Sequence, residues 1–586
     1  MKFCMPISKV SLLLSILITV SCGGSGGGDS NSGSSNEVFK ITSFEIDSDA
    51  EPRTLQFRWT TSGQVDPSFD HYQLQVNPDG SSGFTVLKDA ENIIADNFNA
   101  ITPVHFTDWI NAQYRVVAVD ASNSELASSD EVGLLGEVRN EDVIGYVKGH
   151  NTDIDDWFGD SVAVSGDGRT IAVGAPLEDS PSTGINSNSD QSILFDERDH
   201  GAAYIYSLNG GTLIQQAYFK PKFNLDDEQF GASVALSDDG NTFAVGAFLN
   251  SSNASGINGN ENDDSLSASG AVYIYIRNGD VWSRQAFIKA GVPGANQYFG
   301  EEVSISSDGN TLAVTARFED TGGDDSGAAY VFTRTGSTWT EEAFLKASNF
   351  QSFDNFGSSI SISNDGNTLA VGSRFEDSDA RTIDGNQSDN TANNSGAVYL
   401  FRRNSAAWNQ QAYIKASDGG GIFGSSVALS NNGNRLLVGA TGSKSVYDFI
   451  FAANWTENAI IQANNPGNSD SFGDELDISP DGNSFIVSAT GESSSATGIN
   501  GDQNDENTSE SGAAYLFNYD GSAWSQSTYI KPPISEVEDF FGTDVAISDD
   551  TNLIVIGSKL EDSGSMGING DASNNNSEDA GAVFLY

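Results

Sequence analysis

"FGASVALSDDGNTFAVGA", Phe230–Ala247, is the stretch that decides the fold. Two short apolar runs flank "SDDGN", where Asp239-Gly240 suits a tight hairpin that needs positive φ. Close variants start at Phe158, Phe299 and Phe356. The Phe-Gly pair alone recurs seven times, at Phe158, Phe230, Phe299, Phe356, Phe423, Phe472 and Phe541. The spacing between copies varies, so the unit is fixed and its connecting loops are not. Repetition on this scale marks a building unit rather than an active site.

Each unit carries four apolar runs. The first follows Phe-Gly and the second resembles "NTFAVGA". The third is a "GAVYIY" run: Gly201–Tyr206, Gly270–Tyr275, Gly327–Phe332, Gly396–Phe401, Gly512–Phe517 and Gly581–Tyr586. The fourth reads "RQAFIKA", "EEAFLKA", "QQAYIKA" or "QSTYIKP". Four strands per unit and seven units predict a β-propeller. The last unit reaches Tyr586 without a fourth run, while "IGYVKG", Ile144–Gly149, precedes the first Phe-Gly and matches "AYIKA". The expected fold is therefore all-β: a seven-bladed propeller over residues 141–586, with an N-terminal strand closing the last blade. Closure removes exposed sheet edges. Trp282, Trp339, Trp408, Trp455 and Trp524, just before fourth runs, read as packing residues.

The Phe-Gly start and Gly174-Ala175-Pro176 resemble FG-GAP repeats, the units of the integrin α-chain propeller. Blade 5 departs, its third run being "GSKSVYDF" with little loop before it. Integrin-type repeats often hold calcium in a D-x-D-x-D-G loop between the first two strands. The hairpins here are too short for that, so that site is not carried over.

Acidity lies instead between the second and third runs. Asn258, Asn260, Asn262 and Asp264 lie in blade 2, and Asp384, Asn386 and Asp389 in blade 4. Asn500, Asp502, Asn504 and Asp505 lie in blade 6, and Asn569 and Asp571 in blade 7. Alternating Asx oxygens beside glycine suit Ca²⁺, which takes six to eight oxygen ligands. The same composition also makes plain polar turns. These loops share a face with the interblade connections, and in integrins the resembling face binds ligand. Partner recognition is expected there, through Glu319 and Asp320 with the aromatics Tyr298, Phe350 and Phe353.

The N-terminus reads as a processed anchor. Lys2 and Lys9 precede the apolar "VSLLLSILITV", and "TVSC" resembles a bacterial lipobox ending at Cys22, with Thr19 where an aliphatic residue is usual. Residues 1–21 are then a signal peptide, Cys22 the lipidated residue and 22–36 a Gly/Ser tether. Gly23 and Gly24 follow without the aspartate that often retains lipoproteins at the inner membrane, which implies an outer-membrane or cell-surface location. Residues 37–135 alternate apolar and polar positions, as in Leu55, Phe57 and Trp59 or Tyr114, Val116 and Ala118. They predict a small β-sandwich that resembles a fibronectin type III domain.

The net charge of −53 argues against nucleic acid and against direct contact with an anionic membrane. The four histidines are scattered, and no nucleophile motif is present. The expectation is a monomeric, surface-anchored binding or adhesion protein for a protein or glycan, supported by calcium, and not an enzyme. The alternative is a polysaccharide hydrolase or lyase with its site at the propeller axis.

Overall fold

The computed structural model describes residues 38–48, 54–77, 83–87, 90–101, 112–133, 144–187, 199–209, 212–223, 227–405, 407–467 and 470–586. Residues 1–36, expected to hold a signal peptide, lipidated Cys22 and a tether, lie outside them. The described residues are all-β.

Residues 40–133 form two antiparallel sheets. One pairs Lys40–Ser48, Thr54–Ser62 and Asn97–Ile101. The other is built around Phe69–Asn77 and Gln113–Asp120. Period-2 alternation puts Leu55, Phe57, Trp59, Leu74, Tyr114 and Val116 into one shared core.

The remaining strands form seven four-stranded antiparallel sheets in a β-propeller. Sheet 2 shows the plan: Phe230–Leu236, Thr242–Ala247, Ala271–Asn278 and Val281–Ile288 pair in chain order. Its second strand is wholly buried, as a strand covered on both faces must be. Sheet 7 takes its fourth strand from far upstream, with Val583 opposite Val147 and Phe584 opposite Tyr146. The first strands of successive sheets lie side by side, including those of sheets 7 and 1.

Each part of the opening phrase has a separate task. All seven Phe-Gly phenylalanines are buried. Phe230 packs edge-on against Tyr273 of its own sheet, ring centroids 5.2 Å apart. Gly231 has φ +100°, and a Cβ there would lie 2.1 Å from the Ala202 carbonyl of sheet 1. A Cβ on Gly174 would come within 1.9 Å of the Gly231 carbonyl. Gly557 and Gly159 make the same joint between the last and first sheets, at 2.0 Å. Side chains bind the inner strands together: Val162 N–H donates to Asp544 Oδ2 (2.7 Å) and Val234 N–H to Ser161 Oγ (3.1 Å).

"SDDGN" is a self-contained turn. Asp239 Oδ1 accepts the Ser237 hydroxyl (2.6 Å) and the Asn241 N–H (2.9 Å), and Gly240 supplies φ +61°. The tryptophans reach across sheet boundaries at the rim. The indole N–H of Trp282 donates to Gln216 Oε1 at 2.9 Å, and that of Trp339 to Gln285 Oε1 at 2.8 Å.

Candidate functional site: the loop face and its axial mouth

The loops between second and third strands hold the predicted calcium ligands, and the structure gives several of these a different role. In "GIN" of sheet 2, Ile257 bridges Ile288 on the outer strand. Asn258, at φ +55°, donates its N–H to the Phe287 carbonyl (2.7 Å) and accepts the Phe287 N–H on Oδ1 (3.0 Å). Asp384 treats Tyr413 in the same way (2.9 Å), as Asn500 does Tyr529 (3.0 Å). Asn569 closes onto Tyr146 at 3.5 Å. These four residues clamp the loops of sheets 2, 4, 6 and 7 onto their outer strands. An Asx side chain can do this because it tolerates left-handed φ and mimics a backbone acceptor.

The next positions make successive Asx turns. Asn386 Oδ1 accepts Ser388 N–H (3.1 Å), Asp389 Oδ1 accepts Thr391 N–H (3.2 Å), and Asp502 Oδ1 accepts Asn504 N–H (3.1 Å). Asp505 and Asp571 accept from Asn507 (3.1 Å) and Ser573 (3.0 Å). The Ser573 hydroxyl holds the Asp571 carboxyl below its usual range. The Asn260 carbonyl accepts the Ser252 hydroxyl at 2.8 Å. Asn262 and Asp264 are exposed. Among the described residues no three His, Cys, Asp or Glu side chains group as a metal site.

A cation does sit beneath these loops, and it is a lysine. Lys531 Nζ bonds Glu492 Oε2 (2.9 Å), Ser511 Oγ (2.7 Å) and the Gly512 carbonyl (2.6 Å). Glu376 with Lys415 (2.8 Å), Glu561 with Lys148 (2.8 Å) and Glu178 with Lys220 repeat the pair. Sheet 2 has Asn250 in place of the glutamate, and burial pushes Lys289 down to about 7.

Glu319 belongs to this set. It is buried against Lys346 at 2.9 Å. Asp320 is exposed, and its carboxylate accepts the Asp325 N–H at 2.9 Å. Tyr298 is half-buried between Phe248 and Phe318, with centroids 5.2 and 4.9 Å away. Phe350 and Phe353 are exposed, at 41% and 61%.

The arrangement that the repeat pattern did not reveal lies at the centre of the face. A cavity of about 370 Å³ is lined by Glu301, Glu302, Arg317, Arg374, Asp474 and Glu475, with Ser358, Ser425 and Thr441 beside them. Glu302 and Glu475 immediately precede Val303 and Leu476, which line the axial channel below. Beside the cavity only Thr441–Lys444 joins the second and third strands of sheet 5, so that side carries no long loop. Arg317 pairs with Glu301 at 2.9 Å. The Arg374 guanidinium lies over Phe375, and its Nε is buried with no hydrogen-bond partner. Burial, reinforced by Glu301 and Asp544, pushes Glu302 up to about 8. Burial also lifts Glu301 to about 7, Arg317 opposing, and raises Glu475 well above the carboxylate range. The side chains face a cavity, yet protein encloses them on the remaining sides. The signal in the sequence was the pair after Phe-Gly: Glu301-Glu302 and Asp474-Glu475 stand where the copies at Phe230, Phe356 and Phe423 have only serine or alanine. Arg317 and Arg374 occupy the position of Pro176.

Residues 282–332 and 339–401 match the FG-GAP repeat family model. Each match begins in a fourth strand and ends in the third strand of the next sheet, the order that strand Gly145–Val147 follows before sheet 1. No curated protein matches the chain. Among solved structures, it is similar to the β-propeller domain of Myceliophteria thermophila Cps50 (Swd1), at 11% identity and TM-score 0.42, over 75% of this chain and 97% of that one. A Lactobacillus plantarum protein is similar at 10% identity and TM-score 0.39, over 80% and 97%. The Pseudomonas aeruginosa periplasmic gluconolactonase PpgL is similar at 14% identity and TM-score 0.36, over 79% and 97%.

Proposed function

We propose that the chain is a binding protein of the bacterial envelope. In this reading the seven sheets are the blades of a propeller carried on a fibronectin-like sandwich and anchored at the outer membrane or cell surface through lipidated Cys22. The ligand is a glycan or protein docked on the loop face, with the axial pocket as its anchor point. The carrying observation is the cavity of about 370 Å³ lined by both charge signs, beside the one short loop of sheet 5. That volume lies at the small end of ligand pockets, about 300–1,000 Å³. The internal cation of six blades is a lysine ammonium, with Gln462 at that position in sheet 5, so calcium enters this reading only at the outward loop carboxylates such as Asp264.

The test is a glycan and protein array probed with the mature chain and with Thr441→Trp, which fills the pocket from its open side. Array binding that Thr441→Trp abolishes supports the reading, and binding it leaves intact removes the pocket from it. A second reading, polysaccharide hydrolysis or elimination at the axis, draws on the carboxyls of Glu302 and Glu475, both raised in one cavity as general acids often are. Turnover of array-positive glycans by wild type but not by Glu302→Gln supports that reading.

A further inference from the structure

The buried carboxylates beneath the loop face already have protein partners. Glu178, Glu319, Glu376, Glu492 and Glu561 hold lysines, and Arg317 holds Glu301. Arg374 is different. Its backbone N–H donates to Ser358 Oγ (3.2 Å) and its guanidinium rests 4.9 Å from the Phe375 centroid. Among the described residues that guanidinium makes no ion pair, and its Nε is buried and unpartnered. A buried guanidinium N–H with no acceptor is costly, and a ligand acceptor reaching Nε would relieve that cost. Its planar fork suits a carboxylate, which it can hold through two parallel bonds.

The surroundings narrow the ligand. Glu301 and Asp474 stand close to Arg374, so the cavity has no charge to spare for a dianion such as a phosphate ester. Hydroxyls line the side towards sheet 5: Ser425 Oγ and Thr441 Oγ1 lie 3.3 Å apart, and Ser425 also donates to the Ile422 carbonyl. Only Phe375 and Ile422 offer apolar surface. These hydroxyls already have protein partners, but with the Ser425 hydrogen on Ile422, Thr441 Oγ1 keeps its lone pairs for a ligand O–H, which a sugar ring supplies and an apolar peptide side chain does not.

We infer that the axial pocket takes a carboxylated sugar, with the ligand carboxylate on Arg374 and its hydroxyls on Ser425, Thr441 and the pocket carboxyls. This rests on the pocket being the ligand site and adds the ligand's class. The same chemistry is presented by a free hexuronate and by the end of an acidic polysaccharide.

The test is calorimetric titration of the mature chain with galacturonate, trigalacturonate and galactose. Binding of either acid at least about tenfold tighter than galactose is expected, and Arg374→Gln should lose about thirtyfold or more, the scale of losing one partner of a buried charge pair. Arg374→Lys should retain part of the affinity, and unchanged thermal unfolding of both variants shows that the fold is intact. Trigalacturonate binding alone identifies the polysaccharide end, and equal affinities identify the free acid. Equal binding of galactose and galacturonate, affinity unchanged in Arg374→Gln, or no binding of either acid overturns the inference. So does capture of a peptide C-terminus in place of the acids. An array ligand that Thr441→Trp blocks but Arg374→Gln does not would leave the pocket standing and remove only its ligand class.

Discussion

Lys415 Nζ lies 2.8 Å from Glu376 Oε2, and both side chains are buried beneath the loop face of sheet 4. Burial lowers the lysine pKa and Glu376 works against that shift. Ser395 Oγ, 2.7 Å away, supplies a further acceptor. Glu376→Gln leaves a buried ammonium without its counter-charge, which typically costs about 3–5 kcal/mol. Replacing both residues by methionine should cost less than that, because it strands no charge, although the Tyr413 hydroxyl and Asn349 amide lose their Glu376 acceptor. Urea unfolding of the two variants checks the order.

The same lysines bear on calcium. Asn258, Asp384, Asn500 and Asn569 spend their side-chain oxygens on outer-strand N–H groups, and the buried cation below them is Lys Nζ. Chelation by EDTA is therefore expected to leave the thermal midpoint and the protease resistance of the propeller unchanged. A fall in either would return the loops to metal binding.

Close approach and backbone conformation separate cleanly at two glycines. Gly246 needs no positive φ, but a Cβ there would lie 2.0 Å from the Gly300 carbonyl in the next sheet. Gly279 sits at φ +61° with nothing within 4 Å. Gly246→Ala should cost about 3 kcal/mol or more through overpacking, and Gly279→Ala about 1 kcal/mol through left-handed strain. Comparable losses in the two variants would contradict the close-packed joint.

Glu302 predicts a pH dependence. Its pKa is raised from 4.5 to about 8, so between those values the folded state holds a proton that the unfolded state has released. Stability from this group is full below about pH 4.5 and falls as pH rises through 8. Glu301, Glu475, Asp544 and Asp160 crowd the same mouth, and Arg317 opposes them. Glu302→Gln should thus gain on the wild type as pH rises, by on the order of a few kcal/mol at pH 9 and little at pH 4. Denaturant titrations at both pH values measure the difference.

The strands and turns were readable because each repeats a local rule. Phe230, Asp239-Gly240 and Trp282 each act within a few residues or at a fixed offset, and seven copies reinforce the pattern. The loop asparagines were legible as a motif but not as a role. Alternating Asx oxygens suit a cation, and only the register of Ile257 against Ile288 shows that Asn258 faces a strand edge. Glu319 pairs with Lys346, which lies just past the end of the next strand but one, inside what reads as an apolar run, so no local pattern reveals the pair. The axial pocket was the least legible feature. Glu302, Arg374 and Glu475 come from three different sheets and meet only once the strands wrap the axis.

Hydrogen exchange of the chain, with and without an array-positive ligand, tests the pocket most directly. Protection is predicted in residues 299–305, 372–376 and 472–478, which line the axial mouth. Protection confined to the outer loops, residues 248–269 and 348–355, with the axial segments unchanged, would contradict the assignment.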